Sequence, residues 1–424
     1  MARQMTITEK ILARQASLPE VAPGDVVTAR VGLVYTMDLW ALDVFNRLRQ
    51  AGAEHVSDST HAVVVFDHCT PPLDVAAANL QKRVRAEAEV LGATIYDIGR
   101  HGVMHQLVAE ERLVRPGTIA VATDSHAPTD GALGAVVVGV GATDAGCAMA
   151  TGELWFRVPD SILVEISGTF PTGTTSRDVM TYLMGKRGWD GSAAPWSYQA
   201  VELCGETVQA MSIDSRLALC NMASDMGVKN AIIAPDESTY AYPGADWRSE
   251  PAVRSDPEAE YAERIEMDIT MLQPQVACPH APDNVRPISD VAGTPVDVAT
   301  IASCSGARLE DLHLAARILE GRKIHPRVRL YVSPASQLVY RRALADGTLA
   351  ILLEAGGLIE PSMCGPCLGT QGVVLGDGET CISTLPRNLR GRLGSAEAQV
   401  FTANPAVVAA SAVAGELADP AEYL

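Results

Sequence analysis

Val298-Ala299-Thr300-Ile301-Ala302-Ser303-Cys304, followed by the helical spacing of Leu309, Leu312, Ala316 and Leu319, is the stretch on which the reading of the fold rests. A short β-branched run ends in a polar turn that carries a reactive side chain, and an amphipathic helix follows. The same grammar recurs. Val63-Val64-Val65-Phe66 runs into Asp67-His68 ahead of helical spacing from Ala78 through Val90, and Ile119-Ala120-Val121-Ala122 runs into Thr123-Asp124-Ser125-His126. Strands are expected at His61–Phe66, Thr118–Ala122, Ser161–Ile166 and Val296–Ala302, and the alternation predicts an α/β protein with largely parallel sheets. In such sheets ligands bind beyond the carboxyl ends of the strands. Three strand ends delivering Asp-His, Asp-Ser-His and Cys are therefore expected to build one site. The helix opening after Cys304 also offers its thiolate favourable N-terminal dipoles.

Sixty residues beyond Cys304 comes the pair in Cys364-Gly365-Pro366-Cys367. Three thiolates suit a four-iron cluster with one iron held by no cysteine, a corner free for Lewis-acid chemistry. Spacing alone also admits a zinc half-site or a redox dithiol. Cys381, the nearest further thiol, lies in the alternating run Thr380-Cys381-Ile382-Ser383-Thr384, which reads as a strand around a small buried side chain.

With 424 residues, 47% hydrophobic and 20% charged, the chain can bury two or three sizeable cores. A formal charge of −18 argues against nucleic acid or an anionic membrane as the main partner, and a small anionic substrate needs a local arginine cluster. The segment Pro386-Arg387-Asn388-Leu389-Arg390-Gly391-Arg392 supplies one. The N-terminus lacks the apolar core of a signal peptide, and nine scattered cysteines imply a reducing compartment, so a cytoplasmic protein is expected. The glycine-rich apolar stretch from Gly131 to Gly152 reads as buried strand and turn. A charged, proline-bearing excursion from Tyr242 to Glu263, followed by the Pro279–Pro287 segment, places a boundary near residue 285. Residues 1–284 would then carry Asp67, His68, His105, Asp124 and His126, and residues 285–424 the three cysteines and the arginines.

Taken together, Phe66-Asp67-His68, His105-Gln106, Thr123-Asp124-Ser125-His126, Gly131-Ala132-Leu133-Gly134-Ala135, Asn221-Met222-Ala223, Ala277-Cys278-Pro279-His280, Ser303-Cys304, Cys364-Gly365-Pro366-Cys367-Leu368-Gly369 and Arg387-Asn388 with Gly391-Arg392 carry a resemblance that runs end to end. The chain resembles the aconitase superfamily, most closely the large subunits of its two-subunit dehydratases acting on 3-isopropylmalate, homoaconitate or 2,3-dimethylmalate. The resemblance implies three-layer α/β/α subdomains around a central cleft, and a [4Fe-4S] cluster on Cys304, Cys364 and Cys367 with one iron not bound by cysteine. It implies reversible dehydration of a 2-hydroxy di- or tricarboxylate. By carry-over, His68 held by Asp67 is the acid at the leaving oxygen. His105 would be oriented by Asp124 and His126 by Asp225, while Ser125, Arg387 and Arg392 bind substrate.

Several residues depart from the family pattern. Ser305-Gly306 replaces the usual Thr-Asn, Pro386 the asparagine before the first arginine, Asp225 a glutamate, and Met37 a polar residue before Asp38. These changes predict rewritten polar surroundings and with them a divergent substrate or an altered cluster, lost activity being the remaining alternative. After Arg392 one strand and the helix Pro405–Ala418 are expected, too little for the swivelling domain of single-chain relatives. A separate small subunit supplying a serine base is thus expected as partner. The competing class is a repurposed cluster protein that senses iron or binds RNA, which the acidic balance disfavours.

Overall fold

The computed structural model describes residues 3–100, 102–189, 196–242, 247, 252–369 and 371–424. The β-branched runs become the strands of three predominantly parallel sheets, each covered by the amphipathic helices between them. The first sheet has the order Thr94–Tyr96, Ala62–Val65, Leu33–Met37, Ile119–Ala122, Val136–Gly139, all parallel. The chain builds outward in one direction from Leu33–Met37 and then restarts on its other side. The carboxyl ends of Leu33–Met37 and Ile119–Ala122 therefore flank a topological switch point, the place where such sheets open a crevice.

The seven-stranded sheet repeats the device. Its order is Val285–Pro287, Gln275–Ala277, Gln399–Thr402, Thr380–Ser383, Val298–Ile301, Arg329–Val332, Leu358–Ile359. The last five of these are mutually parallel, and the switch point lies between Val298–Ile301 and Thr380–Ser383. Gln275–Ala277 joins by antiparallel pairing, so this sheet draws on chain from both sides of residue 284. A four-stranded parallel sheet, in the order Asn230–Ile232, Ala200–Cys204, Ser161–Ser167, Glu263–Asp268, completes the frame. Of the expected excursion, 243–246 and 248–251 lie outside the described residues.

Local chemistry explains the element ends. Asp74 caps the helix Val75–Leu91 and Gly92 closes it in the left-handed region. The helix Leu309–Leu319 buries Leu312, Ala315, Ala316, Ile318 and Leu319 against the seven-stranded sheet. The stretch from Gly131 to Gly152 differs from its reading as strand and turn. It holds the end of a 3-10 segment Ala127–Leu133, the strand Val136–Gly139 and the helix Ala142–Thr151. Ala145, Ala148 and Met149 of that helix pack beside Val44 and Leu48, so small apolar residues here make a close helix contact instead of a strand.

Gly131 joins the first sheet to the four-stranded sheet. A Cβ placed there would lie 1.8 Å from Ala231 O, in a contact locked by Ile233 N donating to Gly131 O at 3.1 Å. Gly131→Ala is expected to destabilise the protein by about 3 kcal/mol, read as a lower urea unfolding midpoint.

Candidate active site

A backbone bond joins the loops at the carboxyl ends of the first and the seven-stranded sheets: Cys364 N, beyond Leu358–Ile359, donates to Asp67 O, beyond Ala62–Val65, at 2.8 Å. Asp67 is fully buried. One carboxylate oxygen accepts from His68 Nδ1 at 2.6 Å and the other from Met104 N at 2.8 Å. This fixes the His68 ring with Nε2 turned toward Asp124, 3.7 Å from its Oδ2. Burial opposes the charge on His68, but Asp67 and Asp124 outweigh it and hold the imidazole protonated well above its ordinary range.

Asp124 also binds the other two histidines. His105 Nε2 lies 3.0 Å from Asp124 Oδ1, which in addition accepts from His126 N at 2.7 Å. On its far side His105 Nδ1 meets Asp130 Oδ2 at 3.2 Å, and Tyr35 donates to the same oxygen at 2.7 Å. Burial would lower the His105 pKa, yet the two carboxylates push it up to about 10. His126 Nε2 lies 3.3 Å from Asp225, whose other oxygen accepts from Arg387 Nε at 2.6 Å. Burial pushes Asp225 up, but Arg387 and His126 overcome it and depress the carboxyl to about 2. The aspartate is thus long enough to reach both partners despite lacking a methylene. Arg387 Nη2 also donates to Ser125 Oγ at 3.2 Å.

The thiols Cys304, Cys364 and Cys367 are 3%, 6% and 4% exposed and pack in one cluster. Cys304 and Cys364 share a hydrogen bond that favours a thiolate on Cys304 against the cost of burial, helped by His126 and His105; Cys364 is held correspondingly protonated. Asp67, His68 and Cys364 present ligand atoms within 4.8 Å of one another. Arg392 Nη2 reaches Cys367 Sγ at 3.6 Å, while its buried Nε has no partner among the described residues. The pair sits in a turn, with Cys367 N on Cys364 O at 3.0 Å and the 3-10 segment Gly365–Leu368, and opens no α-helix as a redox dithiol would. Cys381 is fully buried in the strand Thr380–Ser383.

The unusual residues around Cys304 support its loop. Ser303 and Ala307 adopt φ of 78° and 69°, a strained conformation for side-chain-bearing residues. Ser305 Oγ donates to Thr384 O at 2.7 Å, and Gly306 lies so close that an added Cβ would meet Thr384 Cβ at 2.5 Å. Arg177, from the helix Ser176–Arg187, grips Thr384 O and Leu385 O at 2.5 and 2.6 Å, holding the approach to Pro386 and Arg387 by its carbonyls. Met37 packs among Tyr35, Val63 and Met104 in the core of the first sheet.

All twelve sequence-predicted site residues are described, and the contacts above bring them into one connected network. Sequence reading missed four supporting residues. Asp38 accepts from the backbone of His68 and Cys69 at 3.1 and 3.0 Å, and Asp130 carries His105. Arg308 spans Cys304 O at 2.7 Å and Gln106 Oε1 at 3.0 Å, and Arg177 acts as described. Asp38 stands at a strand end, a signal that was legible; Asp130 and the two buried arginines carried none. Tyr35 and Trp196 are core residues, and Trp40 is 49% exposed.

Because the folded pKa of His105 is raised from about 6.5 in an unfolded chain, its contribution to stability is full below about pH 6.5 and is lost as pH rises through about 10. Chemical denaturation from pH 6 to 10 should show this decline. It should be shallower in Asp130→Asn, which removes one of the two charges that raise the imidazole.

The model of the Aconitase family (aconitate hydratase) matches residues 9–295 and 289–415. The 3-isopropylmalate dehydratase large subunit 1 of Methanopyrus kandleri is 45% identical over 424 residues, covering 99% of this chain and 99% of the relative. The 3-isopropylmalate dehydratase large subunit of Desulfitobacterium hafniense is 43% identical over 423 residues, covering 99% and 100%. The solved structure of Thermococcus kodakaraensis aconitase X matches 85% of this chain and 84% of its own, with a TM-score of 0.49 and 14% identity. By family match and full-length identity, this chain belongs to the aconitase family.

Proposed function

We propose that this chain is the cluster-bearing large subunit of a two-subunit hydro-lyase. It reversibly dehydrates a 2-hydroxy di- or tricarboxylate, and the names of its relatives point to a 3-alkylmalate such as 3-isopropylmalate. The observation that carries the reading is that three buried thiols pack in one cluster, of which Cys364 lies within 4.8 Å of the carboxylate-held imidazole of His68.

Family membership implies a [4Fe-4S] cluster, and the donor set fits one. Three buried, unpaired cysteines converge, and the Nε of Arg392 beside Cys367, without a partner among the described residues, marks a place where an anionic group is wanted. Cys304, Cys364 and Cys367 would hold the cluster, leaving one iron without a cysteine. When bound, it supplies a Lewis acid that weakens the C–O bond of a substrate hydroxyl.

The protein's own groups do the remaining work. His68, kept protonated by Asp67 and Asp124, gives its Nε2 proton to the departing hydroxyl, which leaves as water. His105 and His126, fixed by Asp124, Asp130 and Asp225, orient that oxygen and its neighbours. Arg387 and Arg392 hold a substrate carboxylate, with Ser125 beside Arg387. The carbon-bound proton needs a base, which we assign to a serine of the small subunit. The serine takes that proton, and the electron pair of the broken C–H bond forms the C=C bond as the C–O bond breaks. Rehydration at the neighbouring carbon reverses these roles and gives the isomer.

None of the described helices is long and apolar enough to cross a membrane. We assign the protein to the cytoplasm, and its two functional units to residues 1–284 and 285–424.

Anaerobic co-production with the small subunit tests the reading. A brown complex that dehydrates malate derivatives, followed by absorbance of the conjugated product, is expected, and a colourless protein that takes up no iron on reconstitution overturns it. Cys304→Ser should lose most of the iron. His68→Asn should keep the iron while kcat falls about 10²- to 10⁴-fold.

A further inference from the structure

A cavity of about 520 Å³ opens beside Asp124, Ser125 and Arg387, and its wall also carries Ser224, Tyr198 and Lys229. The chemistry above uses neither Ser224 nor Lys229. Ser224 is 8% exposed, and its hydroxyl has no hydrogen-bond partner among the described residues. Lys229 is half-buried, and its ammonium reaches Gly139 O at 3.4 Å and lies 5.4 Å from the centre of the Tyr198 ring. Among the described residues no carboxylate lies within ion-pair distance of it; Asp144 lines the same cavity and attracts it only through the field.

The backbone is arranged to hold this lysine. Tyr198 stands at φ 62°, a conformation that side-chain-bearing residues adopt under constraint, with its N–H on Gly227 O at 3.2 Å. Lys229 N in turn donates to Gln199 O at 2.8 Å, so the aromatic ring and the ammonium are fixed to each other by two neighbouring bonds. A half-buried cation that makes no ion pair and a buried hydroxyl without a partner, both among the described residues, are costly, and they share one cavity. Arg387 cannot serve a doubly charged ligand alone, since Asp225 occupies its Nε and Ser125 one terminal nitrogen.

We propose that Lys229 and the Ser224 hydroxyl form a carboxylate subsite, which receives the anionic end of the substrate opposite to the one held at Arg387. The proposal rests on the hydroxy-acid reading above and refines it: the ligand must carry at least two carboxylates, and Lys229 is the residue that demands the second. Ser224 donates the neutral hydrogen bond and Lys229 the charge, while the Tyr198 face keeps the ammonium in place when the cavity is empty.

The test uses the assembled, cluster-loaded complex with Lys229→Met, Lys229→Arg and Ser224→Ala. Lys229→Met should raise KM for the working hydroxy dicarboxylate at least tenfold, by more than any fall in kcat, and Lys229→Arg should recover most of the loss. Ser224→Ala should raise KM about threefold. Calorimetric titration with malate should show the same loss in Lys229→Met, whereas the weaker binding of lactate, a monocarboxylate, should be equal in wild type and variant. Equal malate affinity in wild type and Lys229→Met, with only a lower melting temperature in the variant, overturns the subsite and leaves Lys229 as packing for Tyr198. A wild-type complex that binds malate but turns over no hydroxy acid overturns the hydro-lyase reading alone, because the titration still decides the subsite. A wild-type complex that binds no malate overturns both.

Discussion

Asp124 lies 3.6 Å from His126 Nδ1, meets His105 Nε2 at 3.0 Å and lies 3.7 Å from His68 Nε2. One carboxylate thus faces three imidazoles in a largely buried space, and the rest of the site follows from keeping those charges balanced. Burial would drive every one of these groups to its neutral form. Each histidine is therefore given a second carboxylate of its own: Asp67 for His68, Asp130 for His105, Asp225 for His126. Arg387 then compensates Asp225 and reaches Ser125. Removing one member leaves an uncompensated charge rather than a simple gap, so the network behaves as a unit.

The balance requires two sheets to meet at fixed depth. The bond from Cys364 N to Asp67 O ties the first sheet to the seven-stranded one, and the bond from Ile233 N to Gly131 O ties it to the four-stranded one. Thr384 is a third. Its hydroxyl and carbonyl serve Ala302, Ser305 and Arg177 together, and its side chain leaves Gly306 no room for a Cβ. Ser305-Gly306, which looked in the sequence like a loss of polar surroundings, is the local solution that lets the strained Cys304 loop close on this threonine.

Strand ends were the most legible part of the site. Asp67, His68, Asp124, His126 and Cys304 all follow β-branched runs, and a parallel sheet must send such residues to one edge. Arg387 and Arg392 were visible only as a basic cluster, and the meaning of that cluster came through resemblance. Asp130, Arg177 and Arg308 were not legible. Each is a polar residue surrounded in sequence by ordinary neighbours, and its partner is distant along the chain: Asp130 meets Tyr35, and Arg177 meets Thr384. The Gly131–Gly152 stretch was misjudged in part because a run of alanines and glycines has no clear period, and helix there is selected by packing on Val44 and Leu48.

By itself the sequence determined the α/β class and the polar residues at the strand ends, because side-chain period and residue type act locally and do not depend on partners; the spacing of Cys304, Cys364 and Cys367 left iron, zinc and redox readings open until resemblance chose among them. Tertiary structure alone decided which carboxylate serves which histidine, that Asp225 reaches both His126 and Arg387, and that Lys229 lines the cavity beside the arginine. Those facts depend on distances between elements up to hundreds of residues apart, set by how two sheet edges pack, and no local pattern encodes such a distance.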